Sequence, residues 1–464
     1  MDPLTVILSL IIVAISAQLF FGKDDPNAPP CIKGWIPWFG AAFEFGKAPL
    51  NFISEARRKY GPVFTVLAAG KRLTFVTLNE DFRTFFMSKD VDFEQAVQEP
   101  VHNTASISKG SFYRFHPACN TLIKGRLSPG NVAQLQTQLC DQFNHHLELL
   151  GPQGHADLNK LVREVMYPAV MSNLLGKNNS PGLPFTMEEF QQRFSVYDEG
   201  FEYGSQLPDL LLREWAGSKR WLLSLLGNMV VNSEDMEELE NGGRTLLQHL
   251  VTTVTDKYLP NFGLLMLWAS LANAIPITFW ALAFMLSNPH IYQTAMDEIN
   301  LVLKDQDRAS PTVGQEQLQQ MPYVKCVILE AIRLRSPGAI ARRVIRPLRI
   351  QNFVVPAGDL LMLSPYWAHR NPRYFPEPDQ FRPERWEKAD LVKNVFLEGF
   401  VAFGGGRNQC PGRWYAIVEL HMFVAMILYK YDFTLMDPLP EPSSLHLVGT
   451  QQPVGPCRVQ YRHR

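Results

Sequence analysis

The chain has 464 residues, 44 basic against 45 acidic side chains, and a formal net charge of −1. With no basic tail and no basic low-complexity tract, that balance leaves no case for a nucleic-acid partner. Six scattered cysteines (Cys31, Cys119, Cys140, Cys326, Cys410, Cys457), none at CxxC or Cys/His zinc spacing, argue against a disulfide framework and for reduced, cytosol-facing thiols.

In chain order, the first element is an apolar run over 4–21, long enough as a helix to reach about 27 Å, one bilayer hydrocarbon core. No Lys or Arg precedes it, which disfavours the competing reading as a cleaved signal peptide, while Lys23 and Lys33 follow it and place the remainder on the cytosolic side. The organisation expected is a membrane anchor over 1–22, a proline-rich linker and interfacial segment over 23–38 carrying Trp35 and Trp38, and a single catalytic domain over 39–464. Short apolar runs on either side of Ala69-Gly70 predict a hairpin with strands near 62–68 and 72–77. Helical patterns dominate 79–335, with interruptions expected at 175–184 and 258–263. A β-rich patch follows Pro337, running through Val344, Ile350 and Val354 to Leu363, and 445–448 with 457–461 read as a last hairpin. Strands and helices do not alternate regularly, so the class is mainly α with small β-sheets, neither a Rossmann fold nor a barrel.

Two helices carry unusual features. The stretch 264–286 is apolar nearly all round and so belongs in a core, although its length also suits a membrane span. Asn273 and Pro276 at its centre favour the core. Pro276 cannot donate to the carbonyl of Ala272, which predicts a kink and a polar notch at Ala272-Asn273. In the helix 324–334, Glu330 and Arg333 share a face among Val327, Ile328, Leu329 and Leu334. Such pairs are usually solvated, but a buried arginine requires carboxylate partners.

Near the C-terminus, Phe403-Gly404-Gly405-Gly406-Arg407-Asn408-Gln409-Cys410-Pro411-Gly412 delivers one cysteine to the start of an apolar helix, with Pro411 suited to the first helical position. Unpaired amide donors and the helix dipole favour a thiolate there. The glycines let a flat group approach the backbone. A thiolate held against a flat partner is how a haem iron is ligated when it activates oxygen.

Phe403, Gly406, Cys410 and Gly412 together resemble the haem loop of the cytochrome P-450 (haem-thiolate monooxygenase) family. The resemblance implies that fold, with haem b (iron protoporphyrin IX) between the long distal helix and the cysteine loop and Cys410 as iron ligand. The family's Arg or His two residues before the cysteine is Asn408 here, and the arginine is Arg407, one step earlier. Phe381-Arg382-Pro383-Glu384-Arg385-Trp386 resembles the segment whose arginine closes a Glu–Arg–Arg network, implying that Glu330, Arg333 and Arg385 brace the cysteine loop. Of the pair Arg342 and Arg343, local similarity favours Arg343 as the propionate ligand. The family's Trp and Arg on an early helix are missing, and His116 and Lys124 occupy that region.

The segment from Trp268 to Pro276 resembles the family's oxygen-groove helix, with Ala272-Asn273 in place of the acid–Thr pair. This substitution resembles the branch holding the sterol 7α-hydroxylases and prostacyclin synthase. Segments at 30–35, 203–208 and 445–449 resemble the oxysterol 7α-hydroxylases that act on 24-hydroxycholesterol. The implied activity is 7α-hydroxylation of an oxysterol in cholesterol catabolism and bile acid synthesis. It would use O2 and electrons from NADPH through a cytochrome reductase, at the endoplasmic reticulum membrane. Asn273 and Ala272 are the implied catalytic positions, and Trp268, Ala269, Ala339, Ile340, Val448 and Gly449 the implied pocket lining. Two alternatives remain open at this point: an isomerase of a lipid peroxide, resembling prostacyclin synthase, and a non-catalytic haem-binding sensor.

Overall fold

The structure, a computed structural model, describes residues 7–8, 25–36, 38–176, 186–234, 244–389, 399–445 and 447–464. The expected anchor over 1–22 lies, apart from Ile7 and Leu8, outside the described residues.

Helices form the bulk of the molecule, and the described residues also form four small sheets. The predicted hairpin forms, with strands Val63–Ala68 and Lys71–Val76 paired antiparallel. Its two-residue turn has positive φ at both Ala69 (49°) and Gly70 (74°), the mirror-image geometry that matches strand twist. These strands join a six-stranded sheet in the order Cys31–Ile32, Val63–Ala68, Lys71–Val76, Leu360–Leu363, Ile340–Val344, Val91–Asp92. The β-rich patch after Pro337 therefore pairs with the N-terminal hairpin, Leu73 to Val76 running parallel to Leu360 to Leu363.

Two expectations need correcting. Residues 445–448 do not pair with the chain's last strand; His446 lies outside the described residues and its neighbours form bends. Arg458–His463 instead lies between Tyr431–Leu435 and Gln153–Asp157, a strand with little β-propensity that pairing alone stabilises. The interruption expected at 258–263 falls earlier: Pro260 sits in the first turn of Leu259–Leu271, where a missing N–H is tolerated.

The long apolar segment is broken where Pro276 requires. Leu259–Leu271 ends, Ala272 and Asn273 form a turn, and Ala274–Leu286 resumes. The whole span is long and apolar enough to cross a membrane, yet 78% of its most apolar window is buried inside the protein. It packs against the Glu330 helix Pro322–Arg335 and the cysteine helix Arg413–Lys430, joining all three in one core.

Candidate active site

Cys410 sits in a loop shaped by two left-handed glycines, Gly404 (φ 67°) and Gly406 (φ 68°). A Cβ on Gly406 would stand 2.7 Å from the carbonyl oxygen of Phe86, so only glycine fits there. The loop closes on itself: Cys410 N donates to Phe403 O at 2.9 Å, and Gly404 N to Val401 O at 2.9 Å. The helix begins at Arg413, not at Pro411, with Gly412 at its cap. The amides of Gly412 and Arg413 and the Arg413 guanidinium all pull the Cys410 thiol pKa down, but burial pushes it up by more. Burial and the helix terminus therefore oppose one another at the sulfur, and a metal cation bound there would favour the thiolate.

Glu330 and Arg333 are fully buried and form a bidentate pair, Arg333 Nε to Oε2 and Nη2 to Oε1, both at 2.8 Å. Arg385 Nε reaches Oε1 at 3.0 Å, Arg382 N reaches it at 2.9 Å, and Trp386 Nε1 reaches Oε2 at 2.9 Å. Arg333 also donates to the carbonyls of His369 (2.7 Å) and Pro378 (2.6 Å). His369, absent from the sequence reading, continues the chain. Its Nδ1 meets Arg333 O at 3.2 Å and its Nε2 accepts from Val401 N at 3.0 Å, two residues before Phe403. Burial drives the His369 pKa to about 3, so the ring is neutral and can accept that amide. A path of hydrogen bonds therefore runs from Glu330 to the base of the cysteine loop.

The two neighbouring arginines separate cleanly. Arg343 is part-exposed and donates to Gly358 O at 2.6 Å. Arg342 is 3% exposed, donates to its own Ala341 carbonyl, and lies over the rings of Phe85, Phe86 and Phe93. It makes no salt bridge among the described residues, and burial lowers its pKa to about 10 despite the nearby Asp92 carboxylate. A buried cation of this kind needs an anion. Strand alternation turns Arg342 inward and Arg343 outward. His116 is tied to Glu94 (3.3 Å) and stacked on Phe112, while Lys124 and Arg407 are exposed.

On the opposite side, the C-terminal turn joins the sulfur loop to the helix break. A Cβ on Gly404 would meet Ile340 Cδ1 at 3.9 Å; Ala339 N bonds Leu447 O; a Cβ on Gly449 would meet Asn273 Oδ1 at 3.5 Å. Ile340, Ala339, Gly449 and Asn273 therefore follow one another from the sulfur side to the break. Ala272 is buried, Ala269 exposed. Trp268 does not present a free indole N–H: it donates to Asp198 Oδ1 at 3.0 Å, and its ring stacks on Phe201 at 3.8 Å. Val448 is exposed, and its amide donates to Glu202 Oε1 at 2.7 Å. Asp198 and Glu202, which no sequence signal singled out, hold the C-terminal turn on the helical side.

Burial raises the Asp198 pKa from 3.8 to about 7, against the bonds from Trp268 and Gln452 and the nearby Arg163 that lower it. The folded state then binds that proton more tightly than the unfolded chain, so the contribution is full below about pH 4 and lost as pH rises through 7. Asp198→Asn should remove this slope. The melting temperature of the native protein minus that of the variant should fall between pH 5 and 8, and a constant difference would contradict the assignment.

The sulfur with its amide donors, the glycines that open the loop, and an anion-seeking Arg342 fit a haem with its propionates. The cytochrome P450 family profile matches residues 29–457. The chain is 47% identical to a human 24-hydroxycholesterol 7-alpha-hydroxylase, covering 100% of both chains. It is 49% identical to the Mus musculus protein of the same description, over 96% of this chain and 95% of the relative. Among solved structures, retinoic acid bound cyanobacterial CYP120A1 superposes with a TM-score of 0.75 at 20% identity, covering 94% of this chain and 99% of that one, a likeness of fold. A profile match over nearly the whole chain, together with full-length relatives approaching half identity, places this chain in the cytochrome P450 family.

Proposed function

We propose that this chain hydroxylates 24-hydroxycholesterol at the 7α carbon, at the endoplasmic reticulum membrane, with electrons from NADPH delivered by a cytochrome reductase. The observation that carries the reading is end-to-end similarity to two 24-hydroxycholesterol 7-alpha-hydroxylases, with coverage of 95% or more on both sides. Bound haem supplies the activation of dioxygen, so that one oxygen atom enters the sterol and the other leaves as water.

The chain's own residues supply the setting. Cys410 Sγ would hold the haem iron, and the Gly412 and Arg413 amides beside it stabilise negative charge on the sulfur. Arg342, on the inner face of its strand, would hold a propionate. Asn273, at the helix break, carries an amide that can donate and accept, so it can order a water or dioxygen but cannot supply an acidic proton. Ala272, Ala339, Ile340 and Gly449 supply short or apolar walls suited to a sterol.

The anchor over 1–22 and the segment over 23–38 bring the domain to the membrane. Exposed Trp35 (76%) and Trp38 (56%), with Phe39 and Phe43 nearby, support that reading for the second segment, since such rings favour the interface. Exposed Arg407, beside the cysteine, suits an acidic reductase surface.

The test is reconstitution in lipid with reductase: NADPH consumption should match 7α-hydroxylated product from 24-hydroxycholesterol. Rearrangement of a lipid peroxide without reductase, and no sterol product with it, would overturn the proposal. Arg342→Gln should weaken haem retention at least tenfold, the loss of a charge-assisted bond worth about 1.5–3 kcal/mol. Arg343→Gln should leave it unchanged. Haem transfer to an acceptor globin measures both, and the reverse order would return the role to Arg343.

A further inference from the structure

We infer that Thr450 is a positioning residue for the oxygen-side amide: its hydroxyl, backed by Ser336, fixes Asn273 so that the amide N–H groups stay available to a small ligand. The inference rests on the role given to Asn273 above.

Asn273 occupies the cap position of Ala274–Leu286, where an Asn side chain ordinarily accepts the N–H of the second or third helical residue. The third residue here is Pro276, which has no N–H, and Asn273 makes no capping bond. Its helix therefore does not orient its side chain.

Thr450 does. It is 2% exposed, and its Oγ1 donates to Asn273 Oδ1 at 3.3 Å. Ser336 Oγ lies 3.3 Å from the same Oγ1. A hydroxyl has one proton to give. With that of Thr450 committed to Asn273, Ser336 must donate to Thr450, and the chain of donors runs one way. The carbonyl end of the amide is occupied, so both donors on Nδ2 are left for a water or dioxygen.

Thr450 can act as a fixed point because its neighbours are tied to the helix that follows Asn273 and to three others. Gln451 N donates to Arg335 O at 2.9 Å, and Gln451 O accepts from Trp280 Nε1 at 2.7 Å. Gln452 Nε2 donates to Asp198 Oδ2 at 3.0 Å, and Arg163 Nη2 approaches Gln452 Oε1 at 3.4 Å. The strap 450–452 thus cannot follow Asn273 if the amide rotates.

The experiment uses the full-length holoenzyme and two readouts: the C–O stretching frequency of the reduced carbon monoxide complex, and product formed per NADPH. Thr450→Val, nearly isosteric, should shift and broaden the C–O band and lower coupling roughly tenfold, as expected for a displaced polar group, with KM little changed. Thr450→Ser should restore both. Ser336→Ala, which removes only the backing donor, should shift the band the same way by less; it carries the test if Thr450→Val does not fold. A native band and native coupling in Thr450→Val and Ser336→Ala, while Asn273→Ala shifts the band, would overturn the inference and leave the role of Asn273 standing. A native band and coupling in Asn273→Ala would overturn that role first.

Discussion

Glu330→Gln is expected to yield protein without haem and with little resistance to denaturant. Both carboxylate oxygens are saturated: Oε1 accepts from Arg333, Arg382 N and Arg385, and Oε2 from Arg333 and Trp386. Glutamine keeps the shape but offers one acceptor oxygen, and turns an NH2 group towards donors on its other side. It also leaves a fully buried guanidinium, Arg333, without its counter-charge. Breaking a buried pair from one side costs about 3–5 kcal/mol, a large part of the roughly 5–15 kcal/mol that holds a domain folded. The damage should reach the sulfur because Arg333 holds His369, and His369 holds Val401 at the base of the loop. Denaturant midpoint and haem-to-protein ratio check this; a native midpoint with full haem would refute the bracing role of Glu330, Arg333 and Arg385.

Cys410→Ser should act differently: the protein should fold, and all product formation should cease. Serine is nearly isosteric with cysteine, and the Phe403–Cys410 bond that closes the loop is made by backbone. Stability should therefore change by no more than about 1 kcal/mol. The sulfur's electron donation to iron, however, has no equivalent in a hydroxyl. Turnover of 24-hydroxycholesterol by Cys410→Ser at a measurable fraction of the native rate would contradict this.

Much of this was legible in the sequence because it was local. The Ala69-Gly70 hairpin, the break forced by Pro276, the spacing of Glu330 and Arg333, and the glycines before Cys410 are all set by neighbours within a few residues. What was not legible depends on distant pairing. Gln153–Asp157 looks nothing like a strand and becomes one because Arg458–His463 lies beside it. Arg342 and Arg343 are indistinguishable until the register of Ile340–Val344 decides which faces inward. Thr450, Asp198 and His369 are ordinary polar residues whose partners lie 177, 70 and 32 to 36 positions away. The family resemblance implies Trp268 as pocket lining, but its indole N–H is committed to Asp198. The reverse holds at Cys410, where the sequence showed the amides that lower the pKa and could not show the burial that raises it.

The central claim is that the sulfur of Cys410 is the iron ligand, and optical spectroscopy of the dithionite-reduced protein under carbon monoxide tests it directly. The account predicts a Soret band shifted well to the red of that of a histidine-ligated haem, present in the native protein and lost in Cys410→Ser. A folded, haem-loaded native protein giving the histidine-type band would contradict it.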